Sequence, residues 1–208
     1  MGYVAGARAV STAALLLAVA GCSGDGHDPA ASGSPTPSSP STTAAASSTP
    51  TPPSNSQVAS DAASEVVRRY FAVVDHLRKR SASPLSGLSM VATSAQRSAM
   101  ATLLGRERQQ GRHQTGGTKI AVLKVQSVNL DNSDPSAGRV PTVQVDVCVD
   151  VSDVDIVDKA GKSTVSKSRP DTGWTRFSVA NYHWSSHPRD GWRVATGQDL
   201  KKAPCAPA

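Results

Sequence analysis

Sulfur and imidazole carry the richest chemistry a protein chain can offer, and here both are scarce: 3 cysteines and 5 histidines in 208 residues. That supply cannot build a multi-metal or iron–sulfur protein, whose clusters each take several thiolates. The run "DKAGKS" at 158–163 ends like a phosphate-binding loop, but the pattern G-x-x-x-x-G-K-[ST] needs glycine where Ile156 stands. It also falls in a hairpin-like stretch, not between a strand and a helix. Asp150, Asp153, Asp155 and Asp158 offer oxygen ligands for calcium, yet their spacing misses the D-x-[DN]-x-[DN]-G loop. Val154 and Ile156 interleave them as strand core positions, so the carboxylates read as the solvent face of a strand. No G-x-S-x-G elbow occurs, and no Ser–His–Asp set can be picked out. His183 and His187 share a segment with aromatic residues and read as structural or surface side chains. His76 falls on the outer face of a helix and His27 in a Pro-rich segment. The sequence therefore predicts no catalytic constellation, no cofactor and no metal site.

The one motif with a definite chemistry lies near the amino end. Met1–Arg8 carries a single positive charge, and Ala9–Ala20 is a short apolar stretch containing Leu15, Leu16 and Leu17. It is too brief to span a bilayer, which takes ~20 apolar residues, and no such run occurs elsewhere. It ends in Val19-Ala20-Gly21-Cys22. This resembles the bacterial lipobox, in which small residues precede an invariant cysteine. The resemblance implies a thioether-linked diacylglyceryl group on Cys22 and signal cleavage between Gly21 and Cys22. Several hydrocarbon chains anchor firmly, since each buried CH₂ contributes ~0.8 kcal/mol and one chain alone is marginal. The expected location is the extracytoplasmic face of the cell membrane, held by covalent lipid.

With Cys22 lipidated, Cys148 and Cys205 remain. Outside the cytoplasm the simplest outcome for two such residues is an internal disulfide. Two free thiols or an intermolecular bridge are the alternatives. Cys148 sits on the polar phase of a strand, so a terminal segment could cross that face and reach it without disturbing the core.

Composition separates an unpacked part from a packed one. From Pro29 to Gln57 the 29 residues comprise 14 Ser/Thr, 7 Pro, 5 Ala and one each of Gly, Asn and Gln. Such a segment has no apolar surface to offset its ordering entropy, so it is expected to be disordered. Pro favours locally extended PPII stretches, with a reach on the order of 100 Å. It reads as a spacer between anchor and domain, or otherwise as a tolerated low-complexity insert. The expected organisation is a leader over 1–21, a lipid anchor and tether over 22–57, and one folded domain over 58–208. That domain buries roughly 68–70% of its unfolded surface and needs no metal to fold.

Within it, Ala63, Val66, Val67, Tyr70, Val73, Val74 and Leu77 fall at three- and four-residue steps and predict an amphipathic helix. Ser60 or Asp61 is the expected cap, and Arg78-Lys79-Arg80 suits the last turn. A second helix is expected from Ser94 to Gln110, with Ala99, Met100, Leu103 and Leu104 facing inward and Gly111 at C′. After Gly116-Gly117 the period changes to two. Lys119–Leu130 predicts a strand. Val143, Val145, Val147, Val149 and Val151 alternate with Gln144, Asp146, Cys148 and Asp150, predicting a strand with one valine face. The phase flips beyond Ser152, which suggests a β-bulge. "DKAG" at 158–161 predicts a hairpin turn and Val165 a weak return strand. Trp174–Trp184, with a second phase change, and Trp192–Ala195 complete the set. Two helices followed by four or five antiparallel strands predict an α+β domain.

This order, with "VQVDVCVDVSDVD", "DKAGKS" and the terminal "GWRVATG" and "APC", resembles the nuclear transport factor 2-like superfamily and, more narrowly, uncharacterised actinobacterial lipoproteins. The resemblance implies a strongly curved sheet wrapped around helices, often with a conical pocket that takes small molecules. Catalytic members usually hold an Asp/His pair there, and none can be located here. Five of the domain's seven aromatic residues lie between Trp174 and Trp192. They fill the core, or Trp174, Tyr182, Trp184 and Trp192 line such a pocket. Asp61–Lys119 carries ten Lys+Arg against four Asp+Glu. That excess serves solubility or attracts an anionic lipid or an envelope protein; nucleic acid is not an expected partner. The expected function is a tethered, non-catalytic binding or scaffolding module of the cell envelope. The alternative is a small-molecule carrier or enzyme using the conical pocket.

Overall fold

Helix α1 spans Asn55–Lys79 in a computed structural model that describes residues 52–208. Gly21, Cys22 and most of the expected tether lie outside the described residues. Ser54 caps the helix, its side chain accepting from Gln57 N at 3.2 Å. The cap thus falls six residues before Ser60. Ser60 instead donates to Ser56 O, and Asp61 accepts from Gln57 Nε2. The cause is the buried face, which reaches back to Ala59, so at least one further turn must precede it. Asn55–Gln57, assigned to the tether by composition, form that turn. Ala63, Val66, Val67, Tyr70, Val74 and Leu77 continue the face as expected.

A 3-10 turn, Leu85–Met90, occupies the expected break and buries Leu88. Helix α2 follows at Ser94–Gln109, and Gly111 takes a left-handed φ of 68° just past its end. Its inward face is narrower than the sequence suggests. Only Leu104 is buried, Met100 is partly so, and Ala99 and Leu103 face outward.

The strands are β1 His113–Thr115, β2 Lys119–Asn129, β3 Thr142–Asp150, β4 Asp155–Val157, β5 Thr172–Asn181 and β6 Trp192–Leu200. The long ones form a four-stranded antiparallel sheet in the order β2-β3-β5-β6, while β1 and β4 form a separate two-stranded sheet. Val143, Val145 and Val147 pack in one core with the buried face of α1, Phe177, Val179, Trp192 and Val194. The fold is therefore α+β, and its core closes within the described residues 52–208.

Three strand expectations are corrected. The phase flip after Ser152 is no bulge: β3 ends at Asp150, and β4 leaves for the second sheet, pairing Val157 with His113. Val165 lies in no strand; the return after the turn is a single bridge between Val157 and Ser163. The phase change near Tyr182 marks the end of β5 at Asn181. Register shifts do occur in the sheet, at Ala121 and Gln126 of β2 and at Ala195 of β6. A change of phase in a sequence is produced equally by a bulge and by a strand that stops. Which occurs depends on the partner strand, which the local pattern does not contain. The "DKAG" turn is as expected, with Gly161 at φ 77° and Asp158 Oδ1 accepting from Ala160 N and Lys162 N.

Candidate functional site

Asp150, which the sequence places on the solvent face of a strand, is buried, and so are Asp146 and Cys148 on the same polar phase of β3. What covers them is the C-terminal segment. Cys148 and Cys205 form a disulfide with their Cα atoms 6.4 Å apart, so of the three outcomes open to the sequence the internal bond is present. Around it, Trp174 Nε1 donates to Ala203 O at 3.1 Å and Thr172 Oγ1 to Cys205 O at 3.2 Å. Ala208 N donates to Asp150 Oδ2 at 2.9 Å. Lys202 lies 4.8 Å above the Trp174 ring and donates to Asp146 Oδ2 at 2.7 Å.

Asp146 is the charged centre of this clasp. Arg176, directly opposite on β5, grips it with Nε at 2.6 Å and a terminal nitrogen at 3.0 Å. The Arg176 hydrogen bonds, aided by Lys202 and opposed by burial, hold the carboxyl at about 2, below the usual 3.8. Asp150 is lowered as well, chiefly by hydrogen bonds from Ser152 and then Ala208. A depressed carboxylate contributes stability that is complete above its unfolded value and lost as pH falls through its folded one. Urea midpoints should therefore drop between about pH 4 and about pH 2. In the Asp146→Asn variant this part of the acid limb flattens. Both cations are about 40% exposed (37% and 43%), so water softens the loss of their partner. The cost at pH 7 is then about 2 kcal/mol, below the 3–5 typical of a fully buried broken pair. An unchanged acid limb would reject this assignment.

The four aromatic residues expected to line one pocket do not share it: only Trp184 and Trp192 touch. Trp192 is buried in the core, donating Nε1–H to Pro188 O, and meets Trp184 edge-on at 5.8 Å. Trp174 pairs in register with Cys148 and sits under the clasp on the other face of the sheet. Tyr182 is 42% exposed beyond the end of β5, with its hydroxyl near Ser94. Alternation along β5 separates Trp174 from the core phase of Phe177 and Val179, and the turn after Asn181 carries Tyr182 away.

The remaining candidates disperse too. His183 and His187 lie in the exposed turn after β5, rings 6.4 Å apart, with His187 Nδ1 3.3 Å from Asp190. The four aspartates perform separate tasks. Asp150 accepts from Ser152 and Ala208, Asp153 pairs with Lys119, Asp155 accepts from Ser163, and Asp158 closes its turn. Among the described residues, no three His, Cys, Asp or Glu side chains gather as a metal site would need.

Between the helices and the sheet, most of the space is filled by core side chains. A cavity of about 270 Å³ remains at one end, with Tyr70, Phe71, Gln96, Met100 and Phe177 in its wall. Gln96 Nε2 donates to the Tyr70 hydroxyl at 2.6 Å. Burial raises the Tyr70 phenol above its ordinary 10, against the lowering effects of Gln96 and of Arg78. Arg78 itself is gripped by both oxygens of Glu107 at 3.2 Å. Its one lining carboxylate, Asp199, accepts from Thr175, and no histidine is in the wall. These groups can orient a bound molecule; they do not form an acid–base pair. Sequence reasoning missed Tyr70–Gln96 and Arg78–Glu107, for which the only local signal was a polar side chain at the edge of each helix's apolar stripe.

The structure thus defines an α+β domain with helices on the valine face of an antiparallel meander and a disulfide-locked tail on the other. No family model matches the chain, and no curated protein does. Among solved structures it is similar to the intermembrane space region of the chloroplast protein ARC6, at 17% identity and a TM-score of 0.46, over 67% of this chain and 95% of that one. A de novo designed beta-sheet protein is similar at 14% identity and a TM-score of 0.33, over 68% of this chain and 90% of that one. At these scores neither likeness bears on function.

Proposed function

We propose that this protein is an envelope lipoprotein. Acyl chains on Cys22 hold it to the extracytoplasmic face of the cell membrane, and the Pro-, Ser- and Thr-rich segment spaces the domain from the bilayer. The domain, of the nuclear transport factor 2-like kind, acts as a non-catalytic binding or scaffolding module. The Cys148–Cys205 disulfide carries this reading. Such bonds persist in oxidising compartments and are rare in a reducing cytoplasm, in accord with the export signal that precedes Cys22. The packing of α1 on the valine face of a sheet with shifted registers supports the superfamily assignment.

The test is metabolic labelling with a radioactive fatty acid, followed by fractionation. The protein should carry label and sediment with membranes. The Cys22→Ala variant should lose the label and either appear in the medium or keep its leader. An unlabelled parent, or a variant that stays processed and membrane-bound, rejects the anchor. A second reading, a small-molecule carrier or enzyme, rests on the cavity beside Tyr70 and Gln96. Its volume of about 270 Å³ lies just under the ~300–1,000 Å³ of ordinary ligand pockets.

A further inference from the structure

Two grooves run along opposite flanks of α1 and meet at Ala72 and His76, which line both. The first, about 630 Å³, opens between α1 and the start of β2, and its charged wall is Arg68, Lys79 and Arg80. None of the three is in an ion pair among the described residues. The groove's one carboxylate, Asp75, is already occupied. Its oxygens accept from Gln114 Nε2, Thr118 Oγ1 and Thr118 N at 2.9, 2.9 and 2.7 Å. The three cations are exposed and have no carboxylate partner among the described residues.

The second groove, about 460 Å³, is of opposite character. Ala72, Val73, Leu77, Pro84, Met90 and Val91 form its wall, and Met90 is 69% exposed, a large apolar side chain left in water. Arg69 and His76 stand at its lip, and the His76 ring meets the Ser83 hydroxyl at 3.2 Å. The backbone there is satisfied internally, with Gly87 N bonded to Pro84 O and Val91 N to Leu88 O. A peptide laid in this slot would find few partners for its own N–H and C=O groups, and leaving them unpaired is costly. A hydrocarbon chain has none to satisfy.

We propose that the two flanks of α1 form one binding site for an anionic phospholipid, with an acyl chain along Val73, Leu77 and Met90 and the anionic headgroup in the groove that Arg68, Lys79 and Arg80 make cationic. Two features fit that occupant together and neither fits it alone: a cationic groove and an apolar groove joined edge to edge, each of ligand size. This deepens the envelope reading, which supplies the lipid, but the geometry does not depend on the anchor.

The test uses residues 52–208, whose core closes within the segment, and three probes in calorimetry. These are dihexanoyl-phosphatidylglycerol below its micellar concentration, dihexanoyl-phosphatidylcholine, and glycerol 3-phosphate. The anionic lipid should bind at least ten-fold more tightly than either the neutral lipid or the bare headgroup. The combined Arg68→Gln, Lys79→Gln, Arg80→Gln variant should erase the preference for the anionic lipid over the neutral one. Met90→Asp should weaken the anionic lipid at least ten-fold and leave glycerol phosphate unchanged. All four side chains are exposed, so the fold survives these changes, and urea midpoints verify it. Equal binding of the two lipids, equal binding of lipid and headgroup, or no binding at all overturns the proposal. Failure here with Cys22 labelled rejects the site and leaves the anchored module. Lipid binding with Cys22 unlabelled does the reverse.

Discussion

Replacing both Cys148 and Cys205 with serine should lower stability by about 4 kcal/mol, read as a fall in the urea midpoint of the oxidised protein. The disulfide closes a separation of 57 residues. In the chain-entropy account, a loop of that size removes about 4 kcal/mol of freedom from the unfolded chain. The loss should also spread beyond the sulfur atoms. Lys202, Ala203, Cys205 and Ala208 reach Asp146, Trp174, Thr172 and Asp150 only while the tail lies across the sheet. Once it is free, Asp146 keeps Arg176 but loses Lys202, and water reaches a carboxylate that is now fully buried. The pH dependence attributed to Asp146 should shrink in the same variant, because the two effects share one structure. Thiol titration of denatured, unreduced protein gives an independent check. Two reactive thiols in the domain, or a midpoint within about 0.5 kcal/mol of the parent, would contradict the clasp.

A loss of about 4 kcal/mol is likewise expected for Trp192→Ala, from the 3–5 typical of deleting a large buried aromatic. Trp192 is 1% exposed at the foot of β6, against Trp184 and hydrogen-bonded to Pro188. Truncation would empty the space where β6 meets the turn after β5 and leave Pro188 O without its donor. Tyr182→Ala should change stability by no more than about 0.5 kcal/mol, since that ring is 42% exposed. The contrast is informative because sequence places both residues in one aromatic cluster. If Trp192 lined an open pocket, its removal would cost little more than that of Tyr182, and equal midpoints would restore the pocket reading.

What could be read from the chain alone was periodicity and its consequences. The three- and four-residue steps of α1, the valine alternation of β3, the left-handed Gly111 and the "DKAG" turn are local properties, and each appears as expected. Together they suffice for an α+β class. The pairing of Cys148 with Cys205 was legible as one of three outcomes, because phase placed Cys148 on the face away from the core. Tertiary structure decided the rest. It set the start of α1 at Ser54, since the burial of Ala59 comes from packing and many nearby polar residues could serve as caps. It turned an apparent bulge at Ser152 into a strand that changes sheets. It sent Trp174 and Trp192 to opposite faces, and brought Arg68 and Met90 to the two flanks of one helix. The physical reason is common to all of these. A sequence pattern states which side chains share a face, but burial depends on what lies over that face, and at Asp146 the cover arrives from a residue 56 positions away.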